Sequence, residues 1–131
     1  MDLAMSGILM IKKNYPFADL YGERGENRYV ISVKARNRYQ ANGSLNSRYN
    51  LCADCETKAN LASIHFDAKP AWLAISISDD VYSVYFGTLD ILKVKTGIPM
   101  SEPYLCNYEC FANERQHGLD FKPYKNTYEY R

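Results

Sequence analysis

Acidic residues are missing from Asn27 to Ala53, a stretch that holds Arg28, Lys34, Arg36, Arg38 and Arg48. Long apolar runs are missing too: nothing approaches the roughly 20 residues of a membrane-crossing helix, which argues against a membrane partner. The opening MDLAMSGILMIKK has no basic residue ahead of its apolar part. It is therefore a poor secretory signal, and a cytoplasmic location is expected. With no such signal, the four cysteines are expected as reduced thiols or metal ligands rather than disulfides. Repeats and low-complexity linkers are absent as well.

What is present fits one domain over 1–131, long enough to bury a core without staples. Hydrophobic residues make up 47% and charged residues 24%, a composition that excludes disorder. The net charge of +1 points to no partner, but its distribution is uneven. Opposite the acid-free stretch, Ser101 to Asp120 carries Glu102, Glu109, Glu114 and Asp120 against Arg115 alone. Such asymmetry makes either a basic face for a polyanion or a solvated surface.

The patterning predicts a helix over Leu3–Lys13, weakened by Gly7, then a short strand in YPFADLYG (15–22). GERGEN (22–27) is turn-rich and RYVISVKA reads as a second strand, so the two form a hairpin. NGSLNS (42–47) is loop chemistry, with Asn46 or Ser47 as the cap of a helix from Arg48 to about Phe66. In that helix Leu51, Cys55, Ala59 and Ala62 recur at helical spacing. AWLAISI (71–77) reads as a buried strand and VYSVYFG (81–87) as its hairpin mate, with a short helix in TLDILKV. From Gly97 the chain is loop-rich and full of tyrosine. The order is α-β-β-α-β-β over 1–90, with an irregular extension over 91–131.

With FADLYG and VISVKAR inside it, this order resembles the PD-(D/E)XK nuclease superfamily, especially its Holliday-junction-resolvase-like and small homing-endonuclease-like members. In that superfamily an Asp opens the second core strand, and an acid or Gln stands two residues before a Lys on the next. The resemblance implies an α/β fold, a mixed central sheet flanked by helices, Mg²⁺, and hydrolysis of DNA phosphodiesters. Asp19 would match the metal-binding Asp and Lys34 the catalytic Lys, while Ser32 stands where the central acid belongs. Related enzymes also place an acid on the first helix. Asp2 is the candidate here, on a helix expected to be fuller than this sequence carries.

The residues have their own logic. Strand alternation puts Val30, Ser32 and Lys34 on one face and Ile31, Val33 and Ala35 on the other. A carboxylate beside Ser32 suits hard Mg²⁺, and a lysine there positions or stabilises phosphate charge. A serine hydroxyl is a weak ligand, so another acid has to substitute, and Glu23, Glu26 and Asp2 are the candidates. The bland readings are a strand-end hydrogen-bonding role for Asp19 and a snorkelling lysine at position 34.

In KARNRYQANGSLNSRYN, Arg36, Arg38 and Arg48 suit phosphate oxygens, and Gln40 can reach a base edge. Tyr39 and Tyr49 offer faces for stacking on a base or sugar. The alternative is a solvated loop with tyrosines tucked beneath it.

CADC (52–55) and CNYEC (106–110) raise a rival, a four-thiolate Zn²⁺ site in a protein-interaction domain. The uneven spacing, and the placing of Cys52 and Cys55 inside a helix as small hydrophobes, argue against Zn²⁺. His65 and His117 lack partners at a telling spacing, and Trp72 is core. Tyr124, Tyr128 and Tyr130 suit either a subunit interface or a tail on the sheet. A homodimer or tetramer acting on two strands of duplex or branched DNA is the expected assembly. Three classes compete: a metal-dependent endonuclease or junction resolvase, an inactive DNA-binding module on the same fold, and the zinc-stabilised interaction domain.

Overall fold

The computed structural model of the chain describes residues 9–10, 15–79 and 81–115. In chain order they form β1 (Leu9–Met10), β2 (Leu20–Arg24), β3 (Asn27–Asn37), β4 (Arg48–Asn50) and helix α1 (Cys55–Phe66). There follow β5 (Lys69–Ser78), β6 (Val81–Thr88), a 3-10 turn (Leu89–Ile91), β7 (Gly97–Pro99), the short helix α2 (Glu102–Leu105) and β8 (Glu109–Arg115). Six strands make a mixed sheet in the order β1-β2-β3-β5-β6-β8, while β4 and β7 pair separately. Neighbours in the large sheet are antiparallel except β3 and β5, which run parallel.

The alternation of VISV and AWLAISI is what gives this sheet two apolar faces. One face carries Val30, Trp72, Ala74 and Tyr85, packed under α1 through Cys55, Ala59 and Ala62. Those three small residues recur at helical spacing and let the helix sit close to the strands. The opposite face carries Ile31, Ala71, Leu73, Val84, Phe86 and Phe111. Because both faces are apolar, the central strands read as nearly continuous hydrophobic runs rather than as clean alternation.

Two turns rest on unusual backbone. Gly25 (φ 63) opens the two-residue turn between Arg24 and Asn27, where a residue with a Cβ would be strained. Asp67 (φ 52) ends α1 in the left-handed region, and the amide of Ala68 returns to the Ser63 carbonyl at 3.1 Å. Asp tolerates that conformation better than most residues, which is why the helix stops cleanly there.

Several sequence expectations are corrected. Leu9 and Met10, expected in a helix, pair as strand with Tyr21 and Leu20. The rest of 3–13, apart from those two residues, lies outside the described residues. A short apolar run such as GILMI fits a strand as well as a helix, and the sheet edge decides. The first hairpin strand begins only at Leu20, because Phe17 (φ 75) turns the chain just before it. The second helix spans 55–66 rather than 48–66, with Asp54 and not Asn46 or Ser47 at its N-cap position. Arg48–Asn50 is instead drawn into strand by pairing with Gly97–Pro99. The extension expected to be irregular supplies β7, α2 and β8, the last of which closes the sheet beside β6.

The sheet curls. Arg24 on β2 grips Glu109 on β8 with two hydrogen bonds, 2.7 and 2.9 Å, although three strands lie between them in the sheet order. In a flat sheet four strand spacings amount to roughly 19 Å, more than the two side chains reach. The guanidinium lies over the Phe86 and Phe111 rings at 5.6 and 5.9 Å, so it also covers the second apolar face. Its already high pKa is raised further, first by the Glu109 hydrogen bond.

Trp72 is fully buried and donates its indole N–H to the Thr88 carbonyl at 3.1 Å. Directly across the β5–β6 ladder stands Gly87, where a Cβ would come 2.4 Å from Trp72 Cζ2 and 3.0 Å from Ile91 Cδ1. The indole fills the place of the missing side chain. We expect Gly87→Ala to overpack this contact and destabilise the protein by about 1–3 kcal/mol, read by urea unfolding. Unchanged stability would mean that the indole can shift aside.

Candidate functional site

The site grows out of the point where β2 begins. Phe17 is bulky yet left-handed, a sparsely populated conformation, and it bends the chain so that Asp19 meets β3. The Asp19 amide donates to the Ile31 carbonyl at 2.8 Å, and its Oδ2 accepts the Val33 N–H at 2.8 Å. Val33 is the residue between Ser32 and Lys34, so the carboxylate sits against the backbone that joins them. The strand-end hydrogen-bonding role considered for Asp19 is thus present in the fold.

Ser32 and Lys34 lie on the α1 face of β3, beside Trp72 and Ala74 in the parallel register. Ser32 is buried at 3% exposure, and its hydroxyl makes no hydrogen bond among the described residues. Lys34 is half-buried, and the small side chain of Ala74 beside it leaves room for its stem. Further along, Arg36 lies opposite Ser76 and donates to the Ala35 carbonyl at 2.9 Å. Arg38 continues the row: its amide donates to the Ile77 carbonyl at 2.7 Å, and its guanidinium lies 5.8 Å from the Tyr39 ring. The Tyr39 hydrogen bond raises the Arg38 pKa above its usual high value.

The other candidates are dispersed. Glu23 pairs in register with Arg28, four positions from Ser32 and so roughly 13 Å along the strand. Its carboxylate accepts the Tyr21 hydroxyl at 2.9 Å. Glu26 sits in the hairpin turn and Asp2 lies outside the described residues. Among the described residues, no group of three or more His, Cys, Asp and Glu side chains is placed to hold a metal. Gln40 is occupied by its own loop, donating to the Leu45 carbonyl at 3.4 Å and, through its amide, to Ser44 at 2.8 Å. Arg48 leaves the row entirely, because β4 carries it to Thr96, whose hydroxyl it binds at 2.7 Å. Tyr49 is 1% exposed in the core and offers no stacking face, whereas Tyr39 is 49% exposed.

The cysteines do not converge. Cys52 and Cys55 form a disulfide, against the expectation of reduced thiols, while Cys106 and Cys110 are exposed and are not disulfide-bonded. The turn into α1 brings the first pair to a Cα separation of 4.9 Å, within bridging range. His65 stacks on Tyr15 at 4.7 Å near the end of α1, while His117 and the three C-terminal tyrosines lie outside the described residues. Sequence reading missed the hydroxyls of Ser76 and Ser83, buried on the same face as Ser32 and opposite one another. The signal was there, since a serine in register with Trp72 and Ala74 interrupts an otherwise apolar face.

No family model matches the chain, and no curated protein matches it. Among solved structures, the Holliday junction resolvase Hjc of Archaeoglobus fulgidus, an archaeal hyperthermophile, is similar in fold with a TM-score of 0.55. The identity is 14%, over 82% of this chain and 88% of the resolvase. The likeness establishes a mixed α+β, restriction-endonuclease-like fold, as the sequence led us to expect. No helix among the described residues is long and apolar enough to cross a membrane.

The Asp19 hydrogen bond can be tested apart from any function. Asp19→Ala strands the Val33 N–H and should cost about 1–2 kcal/mol in urea unfolding, while Asp19→Asn keeps an acceptor and should cost less. Equal, negligible effects would remove the structural role.

Proposed function

We propose that this chain is a resolvase-like DNA-binding protein whose nuclease-type site consists of Asp19, Ser32 and Lys34, with Ser32 in the place of the central acid. The observation that carries this is the Asp19 carboxylate on the amide between Ser32 and Lys34, on a fold shared with a junction resolvase. Duplex or branched DNA is the partner. Arg36 and Arg38 extend the row beyond Lys34 and bind phosphate oxygens, which fix position without reading sequence. Two copies of the chain suit a substrate with two strands.

The donor set fits Mg²⁺ only in its sparsest protein-bound form, one carboxylate completed by phosphate and water oxygens. Asp19 would hold the ion, which when bound lowers the pKa of its water and offsets phosphate charge. Lys34 holds a phosphate oxygen by charge, and the buried Ser32 hydroxyl is free to donate to another. With no cluster of three or more metal-ligating side chains among the described residues, ion binding is weak and cleavage is weak or absent. That same observation favours the second reading, a catalytically silent DNA-binding module.

Fluorescence anisotropy with duplex and four-way-junction DNA tests the binding. Affinity should be micromolar and fall steeply with salt, and Arg36→Ala with Arg38→Ala should weaken it across sequences. No change in that pair of variants would take the row out of the account. For the metal, Ser32→Asp and Ser32→Glu should raise Mg²⁺ affinity by calorimetry and give a Mg²⁺-dependent rise in melting temperature. Any cleavage by the unaltered protein should vanish in Asp19→Ala while DNA binding persists. If the Ser32 variants fold yet bind Mg²⁺ no better, position 32 is not beside a metal.

A further inference from the structure

Away from that row, a groove of about 720 Å³ opens beside the β4–β7 pair, lined by Arg48, Lys93, Tyr104, Asn107 and Tyr108. No carboxylate lines it among the described residues. Arg48 is held there on purpose-made ground. Its Nη2 donates to Thr96, and its guanidinium lies across Gly97, where a Cβ would come within 1.9 Å of Nε. Gly97 has no left-handed φ, so the backbone does not require glycine; the room for the guanidinium does. One donor is spent on Thr96, and the guanidinium has five N–H groups in all.

The aromatic part of the lining is equally defined. Tyr108 donates its hydroxyl to the Pro99 carbonyl at 2.7 Å and packs edge-on to Trp72 at 4.7 Å. Burial pushes its pKa up to about 12, so it stays a neutral donor. Tyr104 is 48% exposed, and Ile91 and Val94 on the rim are likewise open. Cations without acids select an anion, while an exposed aromatic with an apolar rim selects a flat apolar face. Duplex DNA offers phosphates but keeps its base faces stacked. An unpaired strand offers both.

We propose that this groove binds unpaired nucleotides of a DNA strand, with phosphates on Arg48 and Lys93 and a base on Tyr104. The proposal rests on the DNA-binding reading above and adds a second contact region with a different preference, for single-stranded over paired DNA.

The full chain is titrated against fluorescein-labelled oligo-dT and against a blunt hairpin duplex, with melting curves run on every variant. Tyr104→Ala should weaken oligo-dT binding by about tenfold, and Tyr104→Phe should restore it, because stacking needs the ring and not the hydroxyl. Lys93→Ala should also weaken oligo-dT, and neither substitution should move hairpin affinity more than about twofold, since the duplex depends on phosphate contacts elsewhere. A 5-iododeoxyuridine oligonucleotide should photocrosslink to Tyr104, located by mass spectrometry. If folded Tyr104→Ala binds oligo-dT as tightly as the parent while Arg36→Ala with Arg38→Ala loses the hairpin, the groove inference fails and the DNA-binding reading stands. If the parent binds neither DNA, both fail together.

Discussion

From Tyr29↔Lys69 to Asn37↔Ile77, β3 and β5 run side by side in the same direction. A parallel pair cannot be joined by a tight turn; it needs a long crossover, and residues 38–68 provide it. That crossover contains the loop after Arg38, β4 and α1, so one constraint distributes most of the molecule. It lays α1 over Val30 and Trp72. It also carries β4 away to meet β7. Beyond the helix, the second half of β3 keeps Lys34 half-buried and Arg36 exposed. The parallel register sets Ala74 and Ser76, both small, beside those two cations.

Asp19 serves two demands with one carboxylate. Its Oδ2 replaces a backbone partner for Val33, where β2 has bent away. A metal or a phosphate-bound water would have to use the oxygen that remains. Ser32 sharpens the question, since a buried hydroxyl with no partner among the described residues is a cost that folds normally avoid. A ligand oxygen reaching that hydroxyl would satisfy it. Lys34 and Arg36 on β3, with Arg38 just past its end, have no acid on that strand to neutralise them, the asymmetry on which the DNA-binding proposal draws.

Where hydrophobic periodicity was strong, the sequence was legible. VISVK, AWLAISI and VYSVYFG all became the strands their patterns predicted, and the Gly25 turn joined the first pair as a hairpin. That Ser32 and Lys34 share one face of β3 followed from alternation alone. What failed was short or non-local. Three residues, Arg48–Asn50, carry too little pattern to announce a strand, and helical spacing ran through them until pairing with Gly97–Pro99 overrode it. ECFANER fell in a stretch read as loop-rich, but an edge strand tolerates and even favours its charges. Arg48 left the basic row for the same reason that β4 exists. The Cys52–Cys55 bond depends on a turn that no spacing rule distinguishes from one more turn of helix.

The contact between Trp72 and Gly87 has a consequence for how this sequence can diverge. The fold is shared with a resolvase at 14% identity, so very different sequences can take it up. Positions 72 and 87 are not free in that way. With tryptophan on β5, every residue but glycine collides on β6. With a smaller residue at 72, glycine at 87 would leave a void beneath the 3-10 turn. Either change alone should be harmful and the two together compatible, so the two positions are expected to be coupled. In a set of relatives these two positions should vary in concert, an aromatic across from glycine or two mid-sized residues across from each other.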